Sequence, residues 1–123
     1  MGIVVSHRIR TREFGAEIPA DARGALLRSA RIALTTPLTG KGLPASTRLL
    51  KAYATSARGP RRIVYLLAVE AGTLFLLFYR DKNDALGANL SPKNPVFARQ
   101  LKKHLALLKA DISAGRFDVL AVE

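Results

Sequence analysis

Two arginines and a lysine, Arg62, Arg80 and Lys82, are the first residues whose types and spacing suggest chemistry. They bracket two runs rich in β-branched and aromatic residues, Ile63-Val64-Tyr65-Leu66-Leu67 and Leu74-Phe75-Leu76-Leu77-Phe78-Tyr79, separated by Glu70-Ala71-Gly72. Such runs around a short glycine-containing link read as a β-hairpin. With the turn centred near Ala71, Arg62 faces Arg80 across the ladder, and Lys82 projects from the same face one step further on. Like charges directly opposed destabilise a ladder, at a cost of roughly 0.2–1 kcal/mol. One reading is a solvated strand end with three cations splayed into water. The other is a site built for an anion, where a bound phosphate turns the crowding into attraction.

Lys51, Tyr53, Arg58 and Arg61 enlarge the same constellation. Cations interleaved with aromatic rings suit single-stranded RNA, because the cations hold phosphates while the rings stack on unpaired bases. A tight turn through Ser56-Ala57-Arg58-Gly59-Pro60 brings Tyr53 near Arg62. Tyr65 alternates onto the opposite face and is expected to be a core tyrosine with a satisfied hydroxyl. His7 and His104 are the only histidines. Neither has a second histidine or a carboxylate at ligand spacing, so no metal site is expected. His104 lies beside an apolar helical stripe, which makes it a half-buried packing residue; His7 is a lone histidine on an exposed strand. There is no Walker loop, dinucleotide fingerprint or GxSxG elbow, and no cofactor is predicted. Asp81-Lys82-Asn83-Asp84 begins like a calcium loop but lacks the closing glutamate.

The whole chain shares the basic bias: 20 Lys and Arg stand against 9 Asp and Glu, a formal net charge of +11. Such an excess favours polyanionic partners such as nucleic acid, the ribosome, an anionic membrane or an acidic protein. At 123 residues and 49% hydrophobic content the chain reads as one domain, residues 1–123, with a core of its own. It has no cysteine, hence no disulfide framework or thiolate site. No apolar run reaches the roughly 18 residues of a membrane span, and Met1–Val5 is too short for a signal-peptide core. The expectation is a soluble cytoplasmic protein with no membrane partner.

The elements that must position these side chains follow in order. Ile3–Ile9 reads as a strand, and Thr11 as the cap of a short helix through Glu17. Pro19 interrupts it and opens a second helix over Ala20–Leu34, striped by Ala22, Leu26, Ala30, Ala33 and Leu34. Thr35–Pro44 is rich in breakers and reads as a loop. Leu49–Ala54 is a strand leading into the hairpin, completing an antiparallel meander. The hairpin's first strand is apolar on both faces, the mark of a central strand covered on both sides. Asn94-Pro95 starts a helix of about 20 residues carrying Phe97, Leu101, Leu105, Leu108 and Ile112, and Gly115 stops it. Phe117–Leu120 adds an edge strand or docked tail. The sum is an α+β fold, a small, mostly antiparallel four-stranded sheet packed by an N-terminal helix pair and a long C-terminal helix.

Several segments resemble a known family. Gly59-Pro60-Arg61-Arg62-Ile63-Val64-Tyr65 resembles the glycine-rich turn and "RVIY" strand of RelE/HigB-like toxins of bacterial toxin–antitoxin modules. Leu76–Lys82 resembles their following strand and its basic exit, Leu90-Ser91 the "LS" before their final helix, and Leu49-Leu50-Lys51 their "LRK" strand. The similarity covers Leu49–Ile112. It implies a microbial RNase-like fold, no cofactor, a cognate antitoxin as partner, and a ribosome-dependent mRNA endoribonuclease. In that chemistry the ribose 2′-OH attacks the adjacent phosphate, and enzyme cations stabilise the transition state without metal. By motif position Arg62 matches the phosphate-binding arginine, Arg80 or Lys82 the second basic group, and Lys51 a basic residue of the preceding strand; Arg58, Arg61 and Tyr53 are left to hold RNA. The chain departs from the family at Ala57-Arg58-Gly59-Pro60, where many relatives have Gly-Lys-Ser-Gly-Gly, and in an insertion around Gly87-Ala88-Asn89.

Competing readings are a non-catalytic basic RNA- or ribosome-binding module, an inactive relative that represses with its antitoxin, or a toxin acting on another target such as DNA gyrase. The general base and acid, codon preference and oligomeric state are not legible in the sequence.

Overall fold

The computed structural model of the chain describes residues 2–31, 35–38, 43–84, 86, 90–91 and 93–122. Its elements are β1 (Gly2–Ser6), α1 (His7–Phe14), α2 (Ala20–Arg31), β2 (Thr35–Leu38), β3 (Thr47–Ser56), β4 (Gly59–Ala68), β5 (Thr73–Asp81), α3 (Pro95–Ala114) and β6 (Phe117–Ala121). The fold is α+β, as expected, but the sheet has six strands in the order β2-β3-β4-β5-β1-β6 rather than four. It is also mixed: β1 runs parallel to β5, while the other pairings are antiparallel.

The two extra strands are short edge pieces. Thr35–Leu38, read as loop for its breakers, pairs with β3 at the sheet margin. Proline is admissible there because an edge strand has a side with no ladder to satisfy. Phe117–Ala121 closes the other margin against β1, in line with the expected edge strand.

The N-terminal boundaries differ from the sequence reading. The first strand stops at Ser6 instead of running to Ile9, because the Ser6 hydroxyl accepts a hydrogen bond from the Ile9 amide and caps α1. Thr11 is therefore no cap; it sits inside α1, its hydroxyl donating to the His7 carbonyl. The expected end of α2, residues 32–34, lies outside the described residues, as do Gly87–Asn89. The start and stop of α3 agree with expectation: Asn94 caps it, Pro95 follows, and Gly115 ends it in the left-handed conformation at φ 71°.

β4 is central and covered on both faces. Ile63 and Tyr65 join Leu26, Ala22 and Leu76 under α2, whereas Val64 and Leu66 join Phe78, Phe97, Leu101 and Leu108 under α3. Tyr65 is buried as foreseen, its hydroxyl 2.8 Å from Ser29 Oγ and donating to the Leu26 carbonyl at 3.2 Å. The hairpin loop has four residues, Val69–Gly72, and would by itself set Arg62 opposite Tyr79. A bulge at Leu77 shifts the register by one, so Arg62 does face Arg80. No helix among the described residues is long and apolar enough to cross a membrane.

Candidate functional site

The β3–β4 turn sets up the basic end of the sheet. Ser56 Oγ accepts from the Arg58 amide, and Gly59 adopts φ 112°, a conformation side-chain-bearing residues avoid. The result is a tight turn that places Tyr53 directly opposite Arg62. Lys51, Tyr53, Arg62 and Arg80 alternate onto one sheet face, the one α3 packs against further along. Tyr53 is 43% exposed. The Lys51 ammonium stands 5.4 Å from its centroid and the Arg62 guanidinium 5.6 Å away. Two cations thus lie within cation–π range of one partly exposed ring.

A groove of about 560 Å³ opens beside this ring, lined by Tyr53, Arg61, Arg62, Lys82 and, from α2, Arg28. Among the described residues β2 pairs with Leu49–Ala52, and the groove lies beside the part of β3 that follows, Tyr53–Thr55. Arg28 reaches across, Nη2 donating to the Thr55 carbonyl at 2.6 Å. Arg61 is half-buried and donates to Asp81 Oδ2 at 3.1 Å, so it shapes the wall more than it offers charge. Lys82, past the end of β5, is exposed. No carboxylate or imidazole lines the groove among the described residues. The arrangement can hold successive phosphates and stack one planar ring.

Arg80 departs from the expected role. It stands opposite Arg62, but its fork is engaged by Glu13: Nε donates to Oε1 and Nη2 to Oε2, each at 2.8 Å. The Glu13 side chain is fully buried, and Oε1 also accepts from the Tyr79 amide. His104, which the sequence made a half-buried packing residue, is buried and a full member of the network, with Nε2 3.2 Å from Glu13 Oε2. Its Nδ1 faces the Gln100 carbonyl at 3.1 Å, so both ring nitrogens meet acceptors. The ring stacks on Phe78 at 4.3 Å. Burial pushes the Glu13 carboxyl up, but hydrogen bonds from His104, Arg80 and the Tyr79 amide outweigh it and hold it below its ordinary range. For Arg80 burial works against the charge, yet Glu13 and Asp84 hold its pKa above the ordinary value. The pair of arginines expected to clamp one phosphate is therefore divided: Arg62 lines the groove and Arg80 is neutralised within the fold.

Of the other expected residues, Lys51 flanks the ring without lining the groove, and Arg58 lies around the corner in a neighbouring crevice. His7 opens α1 with Nε2 3.5 Å from Asp118 Oδ2. Sequence reasoning missed Arg28, Glu13 and the polar role of His104. Only His104 left a signal, since it falls in register with Phe97, Leu101 and Leu108 on the buried stripe of α3. Compared with protein-family models, with curated proteins and with solved structures, the chain matches none.

Proposed function

We propose that the protein is the toxin of a toxin–antitoxin pair, a RelE/HigB-like endoribonuclease that cuts mRNA on the ribosome. The observation that carries this reading is the exposed Tyr53 ring, with Lys51 and Arg62 both near it, at the mouth of the basic groove. A ring for an unpaired base beside cations for its phosphates is the pairing that single-stranded RNA calls for. In this reading Arg62 binds the scissile phosphate and stabilises the charge that develops as the 2′-OH attacks. Lys82 adds a second positive charge, and Lys51 fixes the ring that seats the base. Arg80 acts at one remove, through the network that sets the strand end.

An antitoxin segment with an acidic side would cover the groove. A second surface suits its apolar side: a groove of about 680 Å³ between α3 and the sheet, lined by Leu66, Phe75, Leu105 and Ile112 and rimmed by Lys102 and Lys109. A non-catalytic RNA- or ribosome-binding module is favoured by one observation, that the groove wall carries neither carboxylate nor imidazole to move a proton.

Inducible expression of wild type and R62A, scored for growth and for mRNA 5′ ends, tests both readings. The toxin reading expects arrested growth and new ribosome-dependent 5′ ends for wild type, with both lost in folded R62A. RNA binding without new 5′ ends would replace the enzyme with the binding module. R62A protein that still arrests growth would remove Arg62 from the site.

A further inference from the structure

The groove beside Tyr53 has one cation that the strands do not supply. Arg28 comes from α2, the helix that covers the sheet face opposite the one carrying Tyr53 and Arg62. It is exposed, and its Nη2 donates to the Thr55 carbonyl at 2.6 Å. Thr55 stands opposite Pro60 in the ladder, and Pro60 has no N–H to offer that carbonyl. Among the described residues Arg28 makes this one hydrogen bond and no ion pair. A guanidinium carries five N–H donors, so most of its fork is left to the groove. No carboxylate among the described residues lines the groove to neutralise it.

The helix makes room for this guanidinium. Long helical side chains lean back over the preceding turn, which lays Arg28 over Gly24. A Cβ on Gly24 would stand 3.0 Å from Arg28 Nη1 and 3.9 Å from its Cζ, so a side chain there would compete for the same space. Glycine inside a helix is less stable than alanine, and α2 has alanine at Ala20, Ala22, Ala25 and Ala30. Helix stability therefore does not account for Gly24, whereas the seat of Arg28 does. Resting on the RNA-binding reading of the groove, we infer that Arg28 is a phosphate-binding residue and Gly24 the positioning residue that seats it. With one N–H anchored on Thr55, the rest of the fork grips a phosphate of the strand whose base stacks on Tyr53. The RNA backbone then runs past Thr55, between a cation from α2 and the cations of Arg62 and Lys82. Anchoring fixes the rotamer before RNA arrives, so less freedom is lost on binding.

Fluorescence anisotropy on full-length protein tests this, with a short 2′-O-methyl oligouridine that cannot be cut because the attacking hydroxyl is blocked. R28A should weaken binding about tenfold, the size of one charge-assisted hydrogen bond, and lessen the salt dependence by about one phosphate contact. G24L should bind nearly as weakly as R28A. Its melting temperature should not fall, because leucine is a strong helix former. In the R28A background G24L should weaken binding no further, which marks a residue that acts through Arg28. R28A protein with wild-type affinity and salt slope, whatever its melting temperature, would make Arg28 only a cap for the Thr55 carbonyl and overturn the proposal. G24L that binds as tightly as wild type, or that costs as much in the R28A background, overturns the part given to Gly24. Both results leave the groove reading standing. An oligouridine that does not bind wild type, or binds Y53A as tightly, overturns the groove reading and the role of Arg28 with it.

Discussion

Arg62 and Arg80 face one another across the same ladder, yet they live in different electrostatic worlds. Arg62 lies against a solvent-facing ring at the lip of a groove. Arg80, its side chain 25% exposed, forks onto a carboxylate that sees no solvent at all. The difference comes from neither arginine but from the partner that the rest of the chain delivers. Glu13 arrives from α1, 67 residues away in sequence, and His104 arrives from α3. Like charges opposed on a strand pair are tolerated here because one of them is neutralised from outside the sheet. Arg62 is left beside the Tyr53 ring, lining the groove.

Breaking the Arg80 side of this contrast should have the largest effect. Removing one member of a buried, hydrogen-bonded ion pair leaves the other unmatched, at a cost of about 3–5 kcal/mol. E13A should lower unfolding stability by that order in urea titration. It also deprives the Tyr79 amide and His104 of their acceptor. A loss below roughly 1 kcal/mol, the range of an ordinary surface change, would show the network to be solvated rather than structural.

The same network predicts an acid limb. The folded Glu13 carboxyl lies below its ordinary value of 4.5, so the unfolded chain binds the proton more readily. Its contribution is fully present above pH 4.5 and drains away as pH falls towards the lowered folded value. Asp111 acts the same way lower down. Burial raises its pKa, but the Ser6 hydroxyl, the Arg8 amide and the charges of Arg8 and Arg116 hold it below its ordinary 3.8. Urea midpoints measured from neutral pH downward should fall below pH 4.5 in wild type and flatten in E13Q. An E13Q curve as steep as wild type would assign the acid limb to other groups.

Breaking the Arg62 side should leave the fold alone. Tyr53 is 43% exposed, so Y53A should change stability by no more than about 1 kcal/mol. RNA affinity should fall by about 1–3 kcal/mol, the worth of one base–ring stack, in anisotropy titrations. Unchanged affinity would reduce the groove to a solvated strand end.

How much of this was readable in the chain depends on the range of the contact. That Tyr53 lies near Arg62 was legible because a tight turn fixes near neighbours, while their exact opposition came from the register. The α3 boundaries were legible because Asn94, Pro95 and Gly115 act within one turn of themselves. The match of Arg62 to Arg80 came out as expected for a reason the sequence hid: an even-numbered loop and a bulge at Leu77 compensate. Glu13 was not legible, since nothing in its own helix marks which strand it will meet. The edge strand at Thr35–Leu38 was missed because breaker residues describe an edge as well as they describe a loop.

The smallest effect sharpens the comparison from within the Arg62 side. Lys51 and Arg62 both attract the Tyr53 ring, but water reaches all three, and an exposed cation–π contact is worth only about 0.5–1 kcal/mol. A double-mutant cycle of K51M and Y53L, read in urea stability, should therefore give a coupling at or below that size. K51M alone should nonetheless weaken RNA binding and lessen its salt dependence, because it removes a charge near the phosphate track. A coupling above about 2 kcal/mol would mean that the ring is desolvated and built into the core. Tyr53 would then belong with Arg80 among the residues that hold the strand end together, and the ring could not serve as a platform.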